Sequence, residues 1–258
     1  MNALPPYSAA RTEVLRLPGG VTERDDLAVE EPLEIRVGGE AVAVTMRTPG
    51  HDDELALGFL LSEGIRAVAA HPTADLAANT VEVEVEDGFD AERLRRNFYT
   101  SSSCGVCGKG ALEAVAVDAE RVESRLGLDA VVLASLPERL RQPTFARTGG
   151  LHATGLFSPA GELLCVREDV GRHNAMDKVI GWALREGLVP LHPNVLCVSG
   201  RLSFELVQKA AVAGAPLLVG VSAPTSLAVE LARAQNVTLC AFARRGRVNV
   251  YTAPERVV

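Results

Sequence analysis

Cys104 and Cys107 are the only closely spaced pair among the chain's five cysteines, and they sit in Ser101-Ser102-Ser103-Cys104-Gly105-Val106-Cys107-Gly108-Lys109-Gly110. Small residues flank both sulfurs, which leaves room for a second macromolecule to approach, and Lys109 adds a positive charge. The apolar run Ala111-Leu112-Glu113-Ala114-Val115 reads as a helix that begins just after the pair. Unpaired amide N–H groups and the dipole at a helix N-terminus favour the thiolate over the thiol. The pair is therefore suited to sulfur or redox chemistry, and three readings stand open. Half of a zinc site would need two further ligands, but Cys165, Cys197 and Cys240 lie singly inside expected strands and read as small core residues. A thioredoxin-like dithiol calls for a βαβ setting with an aromatic residue or proline beside the pair, and here the neighbours are Gly, Ser and Val. A persulfide carrier accepts a sulfur atom on one thiolate and hands it on, the second cysteine assisting by exchange.

A second group of residues is suited to anions. Ser199-Gly200-Arg201-Leu202-Ser203 and Ser222-Ala223-Pro224-Thr225-Ser226 each follow an expected strand and open an expected helix. Backbone N–H groups and hydroxyls at such junctions face the ligand-binding edge of a parallel sheet. Ser203 and Thr225 or Ser226 also serve as ordinary N-caps, but two matching junctions, one carrying the fork-shaped donors of Arg201, favour an anion site. Arg244, Arg245 and Arg247 crowd a turn at Gly246, which reads either as a solvated hairpin tip or as a phosphate site. In Glu168-Asp169-Val170-Gly171-Arg172-His173-Asn174-Ala175-Met176-Asp177-Lys178, Asp169 is expected to cap a helix. His173 and Asp177, four residues apart, share a face of it, where the carboxylate is able to accept from the two N–H donors of a guanine edge. The plainer reading of this stretch is a salt-bridged helix start.

The elements that must position these groups follow from pattern. Residues 1 to about 30 read as an arm or short edge strand. Strands over 34–37 and 40–46 flank Gly38-Gly39 as a hairpin, and Asp52 or Asp53 caps a helix that Gly64 ends. Val81 to Glu86 alternates as a strand with one wet face, and 90–98 and 110–117 read as helices. The stretch 122–132 has no clear pattern, and a short helix covers 136–141. A hairpin over 151–157 and 162–167 precedes helix 171–186, strand 195–199, helix 203–213, strand 217–222, helix 226–235 and strands 237–243 and 247–251. Such alternation implies an α/β fold with a mostly parallel central sheet and helices on both faces.

A chain of 258 residues holds one large or two modest domains, and the division expected is a β-rich region with one helix over 1–100 and an α/β domain over 101–258. A net charge of −7 argues against nucleic acid as a partner and makes each local basic cluster a specific feature. No apolar run approaches the roughly 18 residues of a membrane span, and the start, Met1-Asn2-Ala3-Leu4-Pro5-Pro6, carries no secretory pattern. An odd cysteine count without a disulfide framework points to a reducing compartment, the cytoplasm.

Several of these motifs, taken in order over about residues 30–252, resemble the formate dehydrogenase accessory sulfurtransferases. They are Glu31-Pro32-Leu33 to Thr48-Pro49-Gly50, Leu60-Leu61-Ser62-Glu63-Gly64-Ile65, the Cys104–Gly108 loop, Thr148-Gly149-Gly150-Leu151-His152, Glu168 to Asn174, Ser199-Gly200-Arg201, Ser222 to Ala228 and Asn249-Val250-Tyr251-Thr252. The resemblance implies a sulfur relay. A cysteine desulfurase loads a persulfide on Cys104 or Cys107, and the carrier passes sulfur to the bis-molybdopterin guanine dinucleotide molybdenum cofactor destined for formate dehydrogenase. It further implies that Phe242, Ala243, Arg244, Arg245, Gly246 and Arg247 bind this cofactor, with Arg201, Ser203, Thr225, Ser226, Arg172, His173 and Asp177 nearby, and that GDP or GMP mimics it. A cytidine-deaminase-like three-layer sandwich and a homodimer are implied as well. Zinc deaminase activity itself fits poorly, because His51-Asp52-Asp53-Glu54 lacks the His-x-Glu spacing and no proline precedes Cys104. The rival of another class is a non-enzymatic chaperone that only holds the molybdenum cofactor.

Overall fold

The computed structural model describes residues 8–72, 79–86, 117 and 119–258. The helix expected over 90–98, the Cys104/Cys107 stretch and, apart from Val117, the helix expected over 110–117 lie outside the described residues. The N-terminal stretch forms more than a single edge strand: β1 (Ala9–Arg16) and β2 (Val21–Ala28) make a separate antiparallel hairpin, turned at Gly19 and Gly20. An ion pair at 3.0 Å between Asp26 and Arg147 ties it to the rest of the chain.

A mixed four-stranded sheet follows, with β3 (Glu31–Val37), β4 (Glu40–Arg47), β5 (Ala67–Pro72) and β6 (Thr80–Val85) in the order β4-β3-β6-β5. Alternate residues Leu33, Ile35, Val37, Val81 and Val83 point inward, onto Leu55, Leu57 and Leu60 of α1 (Asp52–Ser62). Neither Asp52 nor Asp53 caps that helix, as their position had suggested. The cap residue is His51, in the left-handed conformation at φ 59°, and both aspartates lie in the first turn. Their carboxylates are engaged by arginines instead: Asp52 by Arg47 at 2.8 Å and Asp53 by Arg185 at 2.5 Å.

The second half begins with two short helices, α2 (Ala130–Ser135), capped by Asp129, and α3 (Pro143–Thr148), separated by a 3-10 turn over Leu136–Arg139. A six-stranded sheet then forms from β7 (His152–Phe157), β8 (Leu163–Asp169), β9 (Val195–Val198), β10 (Leu217–Gly220), β11 (Thr238–Arg244) and β12 (Arg247–Val250). Its order is β12-β11-β10-β9-β7-β8. Only β9, β10 and β11 run parallel to one another, so the sheet is mixed rather than mostly parallel. The cause is the β7–β8 hairpin: α4 (Arg172–Arg185) carries the chain from β8 past β7 to β9, leaving β7 antiparallel between them.

Side-chain alternation covers both faces of this sheet. Leu196, Val198, Leu218, Leu239 and Ala241 pack against α4, α5 (Phe204–Val212) and α6 (Ser226–Ala234). Val195, Cys197, Leu217, Val219 and Cys240 pack on the other side against Leu128, Leu133, Leu136 and Leu140. Strands buried on both faces read as continuous apolar runs, as Val195–Val198 and Leu217–Gly220 do.

The two sheets are joined where α1 crosses α4. A Cβ on Gly58 would lie 1.9 Å from the carbonyl oxygen of Asp177, and one on Gly181 would lie 1.8 Å from that of Glu54. The backbones therefore touch, and no side chain fits between them. Buried ion pairs flank the crossing. Arg167 donates to both oxygens of Glu54 at 2.5 and 2.8 Å, Lys178 meets Asp169 at 2.7 Å, and Lys209 meets Asp177 at 2.8 Å. Lys178 also donates to the Thr48 carbonyl at 2.8 Å, and Asn174 to that of Met46 at 2.7 Å, so α4 is hydrogen-bonded to β4 and the loop after it.

Two outcomes are expected. Gly181→Ala forces a methyl group into a carbonyl and should destabilise the protein by at least about 3 kcal/mol, read from the midpoint of urea unfolding. Burial alone would raise the Glu54 carboxyl, but its hydrogen bonds from Arg167, helped by His51, hold it down at about 2 against an ordinary 4.5. The stabilisation this supplies is complete above pH 4.5 and is lost as pH falls towards 2, a change of about 3 kcal/mol. Glu54→Gln should flatten stability against pH in that window.

Candidate functional site

The carboxyl ends of β9, β10 and β11 meet at one edge of the larger sheet, and the turns leaving them interlock. Leu202 N–H donates to Ala223 O at 3.1 Å, Thr225 N–H to Leu202 O at 3.0 Å, and Phe242 N–H to Ser222 O at 3.3 Å. Gly220 makes this possible, because a Cβ there would come within 2.8 Å of the Leu202 side chain. On the far side Ser199 N–H donates to Ala153 O and Ser199 Oγ accepts from Ala153 N–H, both at 2.9 Å, which fixes the turn to β7. The two serine-rich junctions thus share one surface, as their matching sequences suggested.

Their capping roles differ. Thr225 Oγ1 accepts from Ala228 N–H at 3.3 Å and is an ordinary cap, while Ser226 is the exposed first residue of α6. Ser203 holds the cap position of α5, yet its hydroxyl makes no cap bond; it lies 3.4 Å from His173 Nε2. Glu205 Oε2 lies 3.9 Å from the same nitrogen. Burial, then the charges of Lys209 and Arg172, push His173 down to about 4, so this imidazole is neutral at physiological pH. His152, the first residue of β7, is also pushed down, by burial and then by Arg172 and Arg201. Arg172 Nε is buried and finds no hydrogen-bond partner among the described residues. Pattern reading passed over His152 as a site residue. Its signs in the sequence were its place at the end of the Thr148–His152 motif and after Gly149-Gly150, where α3 ends with Gly149 in the left-handed region.

Asp177 does not join this edge. It is 1% exposed, Lys209 occupies both its oxygens at 2.8 Å, and Ser62 Oγ donates to it at 2.9 Å. Burial pushes its carboxyl up in spite of Lys209 and Ser62. The face shared by residues four apart is real, but here it faces α1 and α5, and the carboxylate offers nothing to a guanine. Asp169, expected as a helix cap, ends β8 instead. It gathers Gly171 N–H at 2.8 Å, Thr48 N–H at 3.1 Å and Lys178.

Beyond the junctions the β11–β12 turn forms an open cavity of about 790 Å³ lined by Phe242, Arg244, Arg245, Arg247 and Asn249. The pairing of the two strands shifts between Ala241 and Arg244, and Phe242 and Arg245 take φ of 54° and 51°, with Gly246 at 71°. This bulge turns three arginines to solvent while Ala243 stays in the core, so Ala243 is able to meet a ligand only through its backbone. Cys165, Cys197 and Cys240 are buried free thiols, and burial pushes Cys165 and Cys240 up to about 12. Among the described residues no group of three or more His, Cys, Asp or Glu is arranged to hold a metal. Val117, ten positions after Cys107, donates its N–H to Gln208 Oε1 of α5 at 3.1 Å.

His173 should keep one NMR chemical shift from neutral pH down to about pH 5 and titrate at about 4; a transition near 6.5 would show that the surrounding cations do not bear on it.

The FdhD/NarQ family model matches residues 28–258, from the last residue of β2 onward. Sulfur carrier protein FdhD of Mycolicibacterium paratuberculosis is 50% identical to this chain, covering 96% of it and 98% of the relative. The protein of that name from Nocardia farcinica is 51% identical, over 96% and 94%, and that from Anaeromyxobacter dehalogenans 46%, over 99% and 96%. Among solved structures, one described as a formate dehydrogenase accessory protein from Desulfotalea psychrophila superimposes with a TM-score of 0.74 at 26% identity, covering 97% of this chain and 98% of that one.

Proposed function

The chain belongs to the FdhD/NarQ family, and from that membership we propose that it is a sulfur carrier that serves the maturation of formate dehydrogenase. The observation that carries this reading is identity near 50%, along almost the whole of both chains, to proteins named as sulfur carriers. The sequence supports it with one stretch of small residues holding two thiols, Cys104 and Cys107, and no other close pair.

In the finer form of the proposal the protein is a sulfurtransferase. The Cys104 thiolate attacks the terminal sulfur of a cysteine desulfurase persulfide, the donor's cysteine thiolate leaves, and Cys104 becomes the persulfide. One S–S bond breaks and one forms, so no external oxidant or reductant is consumed. Cys107 relays or resolves by the same exchange. The acceptor is the bis-molybdopterin guanine dinucleotide molybdenum cofactor, a substrate with pyrophosphate and guanine groups, and GDP and GMP are its mimics. Three exposed arginines around the Phe242–Arg247 turn support binding of such a phosphate, with the backbone of Ala243 and Gly246 beside them. Arg201, Arg172, His173, Ser203, Thr225 and Ser226 extend that surface along the sheet edge; Asp177 is left out because it is buried and paired. A homodimer in the cytoplasm, a boundary near residue 100 between a β-rich region and an α/β domain, and a cytidine-deaminase-like layering belong to the same reading. Helices on both faces of the six-stranded sheet support the last of these.

Incubation with cysteine and a desulfurase should add the mass of one sulfur atom to the wild-type protein and none to Cys104→Ala. Absence of any adduct on the wild type would leave the rival, a chaperone that only holds the cofactor. Arg244→Ala combined with Arg245→Ala should spare loading and weaken GDP binding by at least about 100-fold, since each charge-assisted phosphate contact is worth roughly 1.5–3 kcal/mol.

A further inference from the structure

The anion-facing edge contains one side chain that the proposal above does not use. His152 opens β7 opposite Asp169 of β8, and its ring lies over Gly200, where a Cβ would sit 3.4 Å from Nδ1. The Ser199–Ala153 hydrogen bonds hold this strand start against the turn that carries Arg201. Arg172, the first residue of α4, lies close enough for its charge to act on the same ring. Charge here is unbalanced. Asp169, opposite His152 in the β7–β8 register, is already committed to Lys178, Asn174, Gly171 and Thr48, and Lys209 is committed to Asp177. Glu205 lies 3.9 Å from His173 Nε2 and within range of the Arg172 charge, so it offsets that guanidinium only in part and is not paired with His152. Arg201 is exposed, Arg172 has a buried nitrogen without a partner, and two imidazoles lie beside them.

We propose that His152 is an anion-binding residue of this edge, taking up a proton when a dianionic phosphate or sulfate group lodges between Arg172 and Arg201. With the site empty, burial and then the charges of Arg172 and Arg201 outweigh Asp169 and hold the imidazole below its ordinary range. A dianion reverses the local sign, and a protonated ring then donates a charge-assisted hydrogen bond to it. The proton comes from solvent, so ligand and proton bind together and are released together. His173 faces Arg172 on its own helix, Ser203, Glu205 and Lys209 on α5, and His152 on β7. Held down to about 4, it remains the neutral neighbour. The site thereby acquires a release mechanism: alkaline conditions discharge His152 and loosen the anion without any movement of the backbone.

This inference rests on the reading of the edge as an anion site and not on sulfur loading or on which cofactor is carried. The probe is sulfate, which keeps its charge across neutral pH, titrated calorimetrically into the full-length protein in two buffers of different ionisation enthalpy. Binding should take up roughly one proton near pH 6.5, and affinity should fall roughly tenfold between about pH 6 and about pH 8. His152→Asn should retain weaker sulfate binding with no proton uptake and no pH dependence. The His152 ring followed by NMR in the wild type should titrate at higher pH with sulfate present than without it, which settles the question even if the variant folds poorly. Sulfate binding without proton uptake, uptake that survives His152→Asn, or no sulfate binding at all would overturn the proposal. Each of those outcomes leaves persulfide loading on Cys104 and GDP binding at Arg244 and Arg245 to stand or fall on their own assays.

Discussion

Everything at the sheet edge depends on two helices touching backbone to backbone. Gly58 and Gly181 let α1 and α4 approach until carbonyl oxygens fill the space where side chains would be. Once the helices are that close, the polar groups along them lose water and must find partners within the protein. Glu54 finds Arg167, Asp177 finds Lys209 and Ser62, and Lys178 finds Asp169 and the Thr48 carbonyl. Such pairs add little net stability over well-packed apolar groups, but losing one member strands a buried charge at a cost of about 3–5 kcal/mol. They act as registration marks. With α4 locked in this position, its first turn delivers Arg172 and His173 beside the turn after β9.

A contrast between satisfied and unsatisfied charge separates scaffold from site. In the seam between the sheets every named cation has an acid within 3 Å. At the sheet edge no acid among the described residues pairs as closely with Arg172, Arg201 or the arginines of the β11–β12 turn, and burial together with the nearby cations holds both histidines below their ordinary range. In a chain whose net charge is −7, a local excess of cations is a directed feature.

Long patterns were legible and short ones were not. The runs that became β9, β10 and β11, and the helices between them, could be placed within about two residues because burial on both faces leaves an unbroken apolar signature. At six residues each, α2 and α3 are too brief for a period to emerge, although Asp129, Pro143 and Gly149 carry the cap, start and stop signals. The direction of β7 was hidden because a hairpin followed by a crossover gives no local sign of which strand will lie between. Asp177 was the instructive error. Its distance from His173 along the helix was right, but whether a carboxylate meets water or a buried lysine is decided by Lys209, which lies 32 positions away.

The three single cysteines bear on how faithfully sulfur is handled. Cys165, Cys197 and Cys240 are sealed among strands, and burial disfavours the thiolate of each. Since thiolates are the reactive form, a sulfane atom brought to the folded chain cannot be diverted onto these positions. Their silence is a kind of chemical insulation: mis-sulfuration of the core would first require the protein to unfold.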